Sequence, residues 1–398
     1  MLITAAAAPG AEPHQPTHRE TSQIRVLYVA TSSGVGGIER QAAALARRIK
    51  QRGAFVCAVT GIDSFLAREC VDASIDVCPL ANRNAGDVAA AFHLTSHIHA
   101  TRATIVHVHS RRDYLAAIIA TALARRRERR PIRLVLHAHL DKPLGSLHWL
   151  MGRFVSATVD RIVAVSDAVR QRLITTHGLK PELVQTIYNG VALDRFAVPE
   201  GPGGVPARSA IRARLGIPLG DPVIGMIGRL DDKGQDRLIA MLPQIRRTVP
   251  GARLLLIGPG RTEERARRAA ALGVAGAVTF AGVIDDVGAV LPAIDVLAHL
   301  PDTESFGLVL VEAMAAGVPI VASAVGGCPE IVEHEVTGYL VPPNDNDAAQ
   351  AALIRLLSDQ SADLRRTLGD AGRVRAQRFS LDHQVDEIED CYRELLAV

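Results

Sequence analysis

Two glutamates in the segment 301–320 are the side chains of this sequence best placed to do chemistry. The segment reads PDTESFGLVLVEAMAAGVPI, and its apolar run predicts a helix over about 306–316. Glu304 then lies at the helix entrance, where a carboxylate would complement the helix dipole even without another role. Glu312 lies two turns inside, among apolar residues, where a carboxylate needs hydrogen-bonding partners. Sugar or ribose hydroxyls would be suitable partners.

Local residues also define the ends of this helix. Thr303 and Ser305 are candidate N-caps, Gly317 ends the helix, and Pro319 opens the following strand. The first N–H groups of a helix have no partner within it, so those near Gly307 would face a phosphate. The sequence therefore predicts an anion-binding helix start beside Glu304.

A second candidate cluster follows another predicted strand, in the sequence GRLDDKG over 228–234. Arg229 and Lys233 lie in this loop, and two cations there would neutralise a diphosphate leaving group without a metal. The alternative is an exposed turn with ordinary surface charges. The loop alone does not decide between these interpretations.

The first half of the chain contributes four histidines in two His-x-His pairs. His107 and His109 lie at the end of one predicted strand, and His137 and His139 lie after the next. This spacing puts both members of a pair on one strand face, as in some metal sites. No cysteine or carboxylate cluster completes a ligand set, so we expect no metal.

The elements that must position these residues form two successive series of alternating strands and helices. Such alternation predicts α/β domains, each with a parallel sheet that helices cover on both faces. The strand-like runs are at 24–30, 54–60, 104–108, 133–136 and 161–165 in the first series, and at 223–227, 253–257, 278–281, 296–299, 319–322 and 338–341 in the second.

Domain boundaries follow from these two series. We predict a disordered tail over 1–22, an N-terminal domain over 23–196, a Pro/Gly-rich linker over 197–210 and a C-terminal domain over 211–379. A last helix over 380–398 has apolar residues at spacings of three and four, and Ser380 can cap it. That helix needs a surface to bury against, for which the N-terminal domain is a candidate. Ligands of doubly wound sheets bind beyond the carboxyl ends of the strands, so two facing domains would hold one in the cleft between them.

Composition narrows the class of protein. The 398 residues carry a net charge of only +3, which argues against a nucleic-acid binder that relies on a strong overall field. Five cysteines form an odd number without metal-ligand spacing, which favours free thiols in a reducing compartment. We detect no signal peptide and no apolar stretch that could span a bilayer, and expect a cytoplasmic protein, soluble or peripheral on the inner face of a membrane.

Several short motifs in a fixed order resemble the family 4 retaining glycosyltransferases of the GT-B fold. The resemblance covers essentially Ile24 to the C-terminus, and it implies two doubly wound Rossmann-like domains facing across a cleft. The matching motifs are Gly36-Gly-Ile-Glu39, His107-Val-His-Ser110, Val165-Ser-Asp167, Asn189-Gly-Val191 with Asp194 and Phe196, Gly228-Arg229, Lys233-Gly234, the Glu304 and Glu312 pair, and Gly326-Gly-Cys-Pro-Glu330.

The resemblance implies a role for each matching residue in binding a nucleotide diphosphate sugar, which is a substrate and not a cofactor. Arg229 and Lys233 would grip the diphosphate, Glu312 the ribose hydroxyls and Glu304 the transferred sugar. The remaining donor contacts would come from the backbone of Gly36, Gly37, Gly258, Phe306, Gly307 and Leu308.

The resemblance further implies a histidine at the mouth of the cleft, near the sugar. Counting from Pro131 favours His137, whereas matching the string His-Ala-His favours His139. His107 and His109 would lie on the acceptor side. The implied reaction retains the anomeric configuration, with the leaving phosphate helping to take the acceptor proton. No cofactor or metal is expected.

The acceptor and the cellular partner are less well defined. The family suggests a sugar or lipid-linked acceptor in polysaccharide or glycan assembly. The stretch 125–130, RRRERR, is a solvated helix end or a docking site for an anionic membrane, at about 1 kcal/mol per basic residue near the surface. No nucleic-acid partner is expected.

Three alternatives remain open at the level of sequence. An NAD-dependent oxidoreductase would share the Rossmann-like pattern, but the turn at 34–37 lacks the full G-x-G-x-x-G motif. A GT-B relative with epimerase or phosphorylase chemistry is a second alternative. A non-catalytic nucleotide-sugar-binding protein is the third.

Overall fold

The computed structural model describes residues 24–397, apart from 33, 35, 83, 85–86, 140–156 and 197–203. The predicted disordered tail over 1–22 lies outside the described residues. Two parallel sheets organise what is described, and each belongs to one of the two predicted α/β domains. The predicted fold class is confirmed.

The N-terminal domain is built on a parallel sheet with the strand order β3-β2-β1-β4-β5-β6-β7. The order reverses between β1 and β4, and such a switch point is where doubly wound sheets bind ligands. The strands are β1 Arg25–Val29, β2 Phe55–Thr60, β3 Asp76–Pro79, β4 Ile105–Val108, β5 Arg133–Ala138, β6 Arg161–Ala164 and β7 Val184–Thr186. The sequence had given no indication of β3 and β7, which are short.

Helices cover both faces of this sheet. They are α1 Gly37–Gln51, α2 Phe65–Asp72, α3 Val88–Thr101, α4 Tyr114–Arg127 and α5 Asp167–Thr175. In α1, Ala42, Leu45 and Ile49 are fully buried at helical spacing, which explains why this segment folds as an amphipathic helix against the sheet.

The C-terminal domain repeats the pattern with the strand order β10-β9-β8-β11-β12-β13. Its switch point lies between β8 and β11. The strands are β8 Val223–Ile227, β9 Arg253–Ile257, β10 Val278–Gly282, β11 Val296–His299, β12 Ile320–Ser323 and β13 Gly338–Val341. The helices are α6 Gly204–Arg214, α7 Gln235–Thr248, α8 Thr262–Ala271, α9 Leu308–Ala315, α10 Cys328–Ile331, α11 Asn346–Leu357 and α12 Ala362–Ala376.

The predicted linker is partly wrong. Residues 197–203 lie outside the described part, but Gly204–Arg214 form α6 and not a linker. Pro206 had favoured a linker, yet proline is tolerated in the first turn of a helix, where its missing N–H has no partner to lose. Arg212 anchors the helix, because its buried guanidinium donates to the carbonyl of Ala293 and to Asp295.

The last helix, α13 Leu381–Ala397, crosses back to the N-terminal domain. Ser380 Oγ accepts from the N–H of His383 at 3.2 Å, so the predicted cap is confirmed. Val385, Ile388 and Tyr392 are fully buried in the same apolar cluster as β1 and α1. The helix therefore completes one face of the N-terminal core.

The chain passes between the domains at two places that are hydrogen-bonded to each other. The N–H of Val191 donates to the carbonyl of Phe379 at 2.9 Å, and the N–H of Leu381 donates to the carbonyl of Val191 at 2.8 Å. The two crossings are thus joined by backbone hydrogen bonds. Among the described residues, no helix is both long and apolar enough to cross a membrane.

Candidate active site

The helix that carries Glu312 begins later than the sequence predicted. It is α9, and its N-cap is Gly307 with φ +102°, not Thr303 or Ser305. A left-handed residue of this kind favours glycine, and a Cβ there would lie 2.9 Å from Leu310 Cδ1. Gly317, with φ +72°, follows the end of the helix as predicted. The later start leaves Glu304 and Ser305 in a loop before the helix.

Glu304 is the centre of a partly buried charged group at the start of α9. Its Oε2 accepts from Lys233 Nζ at 2.8 Å and from His299 Nε2 at 2.9 Å, and its Oε1 accepts from the N–H of Ser305 at 3.1 Å. Burial alone would raise the pKa of Glu304, but His299 and Lys233 outweigh it and hold that pKa well below its usual range. We call Lys233, His299 and Glu304 the Glu304 cluster.

Glycines bring the three loops of the Glu304 cluster together. Gly234 has φ +85°, and a Cβ there would lie 2.5 Å from the carbonyl oxygen of Leu300, the residue after β11. The N–H of Gly327 donates to the carbonyl of Glu304 at 3.1 Å, and a Cβ on Gly326 would overlap that same carbonyl. The Lys233-Gly and Gly-Gly motifs thus permit close backbone approach around Glu304.

His299 was not recognised as a site residue from the sequence. It ends β11 and is 2% exposed, so its bond to Glu304 is made inside the protein. A carboxylate only accepts hydrogen bonds, which means that Nε2 of His299 carries a proton. Its position at the carboxyl end of a strand next to the switch point was the available signal.

Arg229 does not join the Glu304 cluster in this structure. Its side chain is 69% exposed and donates to Asp232 Oδ2 at 2.6 Å. It lies on the same loop as Lys233, whose side chain is only 19% exposed. The structure thus separates the two cations that the sequence had grouped.

Glu312 lies inside α9, and its side-chain carboxylate accepts no hydrogen bond from any residue that the structure describes. Burial raises its pKa to about 7, although Arg40 and Arg195 act in the opposite direction. Both arginines belong to the N-terminal half, so Glu312 faces the other domain. A half-buried carboxylate without protein partners has its accepting capacity open to a ligand.

The glycine-rich loop of the N-terminal domain lies against the start of α9. A Cβ on Gly37 would lie 3.5 Å from Leu308 Cδ1, which is ordinary contact distance. Gly36 is the N-cap of α1, and its N–H donates to Glu39 Oε2 at 2.9 Å. Glu39 therefore holds the loop in shape.

Phe306 is buried just before Gly307.

Gly258 lies after β9, beside the loop that carries Arg229. It has φ +136°, and a Cβ there would overlap the carbonyl oxygen of Gly228. The two loops after β8 and β9 are thus packed backbone to backbone at the carboxyl edge of the sheet.

Two further contacts join the domains next to Glu304. Ser166 Oγ donates to the carbonyl of Ser305 at 2.6 Å. The carboxylate of Glu330 accepts from the N–H groups of Asp167 and Ala168 at 2.7 and 2.8 Å, at the N-terminus of α5. These bonds explain why the Val-Ser-Asp and Gly-Gly-Cys-Pro-Glu motifs occur together in one chain.

The four predicted histidines meet in one stacked group, which we call the histidine cluster. His107 Nε2 and His137 Nδ1 are 3.1 Å apart, as are His109 Nδ1 and His139 Nε2. Tyr392 of α13 extends the first pair, with its hydroxyl 2.5 Å from His107 Nδ1. Hydrogen bonds thus connect the C-terminal helix to the carboxyl ends of β4 and β5.

The histidine cluster is neutral. Burial, reinforced by the neighbouring rings, holds the pKa of His107, His109 and His137 well below its usual value of 6.5. Burial also lowers the pKa of His139 to about 3. His137 has no exposed surface, whereas His139 is 8% exposed. Of the two candidates for the cleft, His139 is the one that reaches the surface.

A group of histidines such as this cluster could also bind a metal ion. Ring nitrogens of His107, His109 and His137 lie within 4.8 Å of one another, a spacing that suits a ligand set. The bonds between the rings satisfy several of the same nitrogens without an ion. The expectation that this protein needs no metal stays a prediction.

A buried carboxylate that the sequence did not reveal shapes the N-terminal switch point. Asp113 accepts from the N–H of Thr31 at 2.8 Å and from Asn82 Nδ2 at 2.7 Å. Thr31 follows β1 and Asn82 follows β3, so one side chain ties together two loops at the carboxyl edge. Burial nevertheless raises the pKa of Asp113.

Only three of the five arginines in the basic stretch 125–130 are exposed and so available to a partner. Arg125 donates to the carbonyls of Ile132 and Thr158, and Arg130 donates to those of Ala103 and Ile98. These two arginines are structural. The exposed ones are Arg126, Arg127 and Arg129.

Comparison with known proteins assigns each half of the chain to a glycosyltransferase model. Residues 35–195 match the model described as Glycosyltransferase Family 4, and residues 207–375 match Glycosyl transferases group 1. Together the two matches take in both clusters and both domains.

Curated relatives carry the name D-inositol 3-phosphate glycosyltransferase. That of Saccharomonospora viridis is 36% identical over 264 residues, which are 61% of this chain and 57% of the relative. That of Mycolicibacterium paratuberculosis is 33% identical over 270 residues, which are 64% of this chain and 57% of the relative. The alignments thus span less than two thirds of these relatives.

Solved structures show the same fold. HepE of Anabaena in complex with UDP and glucose has a TM-score of 0.80 at 24% identity, covering 92% of this chain and 99% of that one. A glycosyltransferase of Rickettsia africae has a TM-score of 0.84 at 21% identity, covering 94% and 98%. With both halves matching the family models, and with two Rossmann-like domains in contact around Glu304, this chain belongs to the family 4 glycosyltransferases of the GT-B fold.

Proposed function

We propose that this chain is a retaining glycosyltransferase that moves a sugar from a nucleotide diphosphate sugar, UDP- or GDP-linked, to a hydroxyl acceptor. The observation that carries the proposal is the partly buried Lys233–Glu304 pair at the start of α9, on the same segment as Glu312, whose carboxylate has no hydrogen bond among the described residues. A cation, a helix N-terminus and an open carboxylate are the groups that a diphosphate linked to a ribose requires.

Lys233 supplies the positive charge for the departing diphosphate. In the structure its ammonium is held by Glu304, so it is already oriented and largely removed from water. The unpaired N–H groups at the start of α9 add to the same anion site. Arg229 lies on the same loop, and it would have to leave Asp232 to reach the diphosphate.

Glu304 and Glu312 take different roles because their surroundings differ. Glu304 is ionised and held by two donors, which makes it an orienting acceptor for sugar hydroxyls and a weak nucleophile. Glu312 accepts ribose hydroxyls. Because Glu304 is a weak nucleophile, the acceptor hydroxyl would attack on the face that the diphosphate leaves, and the leaving phosphate would take its proton. Positioning and charge stabilisation then provide most of the rate.

A donor screen tests this proposal directly. UDP-, GDP- and ADP-sugars are compared by thermal shift and by release of the nucleoside diphosphate, with D-inositol 3-phosphate as the first acceptor because curated relatives are named for it. We expect one nucleotide class to raise the melting temperature and to be consumed. Lys233→Ala should abolish consumption, while Lys180→Ala, an exposed lysine of the N-terminal domain, is the matched control.

The same screen separates the alternative functions. Binding without release of diphosphate, with any acceptor offered, would indicate a non-catalytic nucleotide-sugar-binding protein. Conversion of the donor sugar in place, or phosphate-dependent cleavage, would indicate epimerase or phosphorylase chemistry. If no nucleotide sugar binds and NAD does, the proposal is wrong.

We also propose a lipid-linked or polysaccharide acceptor reached from the inner face of an anionic membrane. The exposed Arg126, Arg127 and Arg129 are worth about 1 kcal/mol each near such a surface. Flotation with anionic liposomes at low salt should retain the wild type and release a triple Arg→Gln variant. Equal flotation of both proteins, or none of either, contradicts this part of the proposal.

A further inference from the structure

Two cysteines on neighbouring strands lie unusually close together, far along the sheet from the proposed active site. Cys57 of β2 and Cys78 of β3 have their sulfur atoms 3.2 Å apart. All five cysteines lie among the described residues and are free thiols. Cys57 and Cys78 are thus a reduced pair at hydrogen-bonding distance.

The strand register shows how the two sulfur atoms are arranged. Cys57 lies opposite Asp76 and Cys78 lies opposite Val59, so the two sulfurs meet diagonally across the parallel strands. A disulfide requires about 2.05 Å between sulfurs, hence the strands must shift slightly. β3 ends the described sheet and pairs with β2 alone, so a shift of β3 would disturb only one strand pairing.

The two thiols differ in access and in partners. Cys57 is 1% exposed, whereas Cys78 is partly exposed at the edge of the sheet. His97 of α3 hydrogen-bonds the Cys78 thiol and lies 3.3 Å from the carbonyl of Pro79 through Nε2. Cys70, Cys328 and Cys391 are all buried. Cys78 is therefore the thiol that a small oxidant would meet first.

The same contacts favour the reactive form of Cys78. Its hydrogen bond with Cys57, followed by that with His97, lowers the pKa of Cys78 to about 5 against the opposing effect of burial. The pKa of His97 is raised by the same thiol. A thiolate next to a protonated imidazole is a typical environment of an oxidation-sensitive cysteine.

We propose that Cys57 and Cys78 form a reversible oxidation site that a hydroperoxide converts to a disulfide. In the first step the Cys78 sulfur attacks the peroxide, forming an S–O bond and breaking the O–O bond, and the released hydroxide takes a proton to become water. In the second step the Cys57 sulfur attacks Cys78, forming the S–S bond and breaking the S–O bond. The second hydroxide leaves as water with the Cys57 proton, so two thiols and one hydrogen peroxide give one disulfide and two waters.

Peptide mapping of the full-length protein after treatment with hydrogen peroxide tests the site. We expect a cross-linked peptide pair joining residues 57 and 78, with the loss of two hydrogen atoms, which dithiothreitol reverses. In Cys57→Ala, Cys78 should stop at a sulfenic acid that dimedone traps. In Cys78→Ala, dimedone should not label Cys57.

A matched pair of histidine variants tests the activating role of His97. His97→Gln should slow the oxidation by about tenfold, since nucleophilicity follows thiolate character. His93→Gln, one helical turn earlier on α3 and exposed, should leave the rate unchanged. The proposal is overturned if peroxide-treated wild type still alkylates fully at both cysteines, if the disulfide forms between molecules, or if the two histidine variants react equally fast.

Discussion

The Glu304 cluster, which is partly buried, and the histidine cluster, which is buried, are polar groups at the carboxyl ends of parallel strands, one in each domain. The first joins a cation to a carboxylate, with Lys233 and Glu304 bonded at 2.8 Å. The second contains four rings that burial keeps uncharged. A charged pair next to a helix start suits a diphosphate. Of the neutral rings, only His139, which is 8% exposed, is placed to meet a hydroxyl group from outside. Under the proposed function, one fold that is used twice would serve two parts of one reaction.

The largest effect should come from the charged side of this comparison. Glu304→Gln keeps the size of the side chain but removes the charge that orients Lys233 and His299. We expect a loss of about 10³-fold in kcat, the scale seen when a preorganised electrostatic group is removed. Steady-state kinetics with the donor found in the screen would measure it. A loss below tenfold would mean that the Glu304 cluster is structural only.

Acid should unfold the histidine side first. Because the folded pKa values lie below 6.5, these rings stabilise the fold fully above pH 6.5, and that stability is lost as the pH falls. The protein should therefore be less stable at pH 5.5 than at pH 7.5. Hydrogen exchange should show β4 and β5 losing protection before β8 and β11. Simultaneous loss in both sheets would contradict this prediction.

The two candidate histidines should separate function from stability. His139→Ala, at the end of the cluster where the ring is 8% exposed, should lower transfer by about 10²-fold with a smaller loss of stability, since it breaks only the bond to His109. His137→Ala, fully buried, should instead destabilise the protein by about 1–3 kcal/mol, because it leaves Nε2 of His107 without a partner inside the core. Parallel measurements of kcat and of urea unfolding decide the assignment. If His137→Ala is stable and inactive, the counting from Pro131 was the better guide.

Glu312 should make donor binding depend on pH. With its pKa raised to about 7, the carboxylate is mostly ionised at pH 8 and mostly protonated at pH 6. If ribose hydroxyls need the ionised form, donor affinity should fall about tenfold between pH 8 and pH 6. Titration calorimetry would measure the change. Glu312→Gln should bind with no such dependence, and a variant that keeps it would assign the titration to another group.

Tyr392→Phe should have the smallest effect. It removes only the hydroxyl, which bonds His107 and the hydroxyl of Tyr28, and keeps the apolar packing of α13. We expect a loss of about 1 kcal/mol in the free energy of unfolding and less than a fivefold change in kcat. Thermal unfolding and kinetics would measure both. A loss in activity without a loss in stability would show that this hydroxyl controls the orientation of the rings.

Much of the region around Glu304 and α9 could be predicted from the sequence, because its residues lie in continuous motifs. The strands around it, the end of α9 at Gly317 and the two glutamates all follow from local patterns. The start of the helix was missed, since Gly307 in a left-handed conformation takes the place of a side-chain cap. His299 was missed because its bond to Glu304 depends on a loop path that no spacing records.

The arrangement of the histidine cluster was harder to predict from the sequence, for a different reason. Spacing predicts that His107 and His109 share a face, but the bonds to His137 and His139 depend on which strands are neighbours. Tyr392 is further still, 285 residues from His107, and only the return of α13 brings it there. Short edge strands such as β3 carry too few apolar residues to be detected. Contacts between residues that are distant in the sequence, and not local propensity, determine where these side chains lie.

The return of α13 has a consequence for biosynthesis. One apolar face of the N-terminal domain, formed by residues of β1 and α1, is covered by Val385, Ile388 and Tyr392. These residues leave the ribosome some two hundred positions after the rest of that domain. The domain translated first is therefore the last to be completed, and during elongation its uncovered face is a natural target for chaperones.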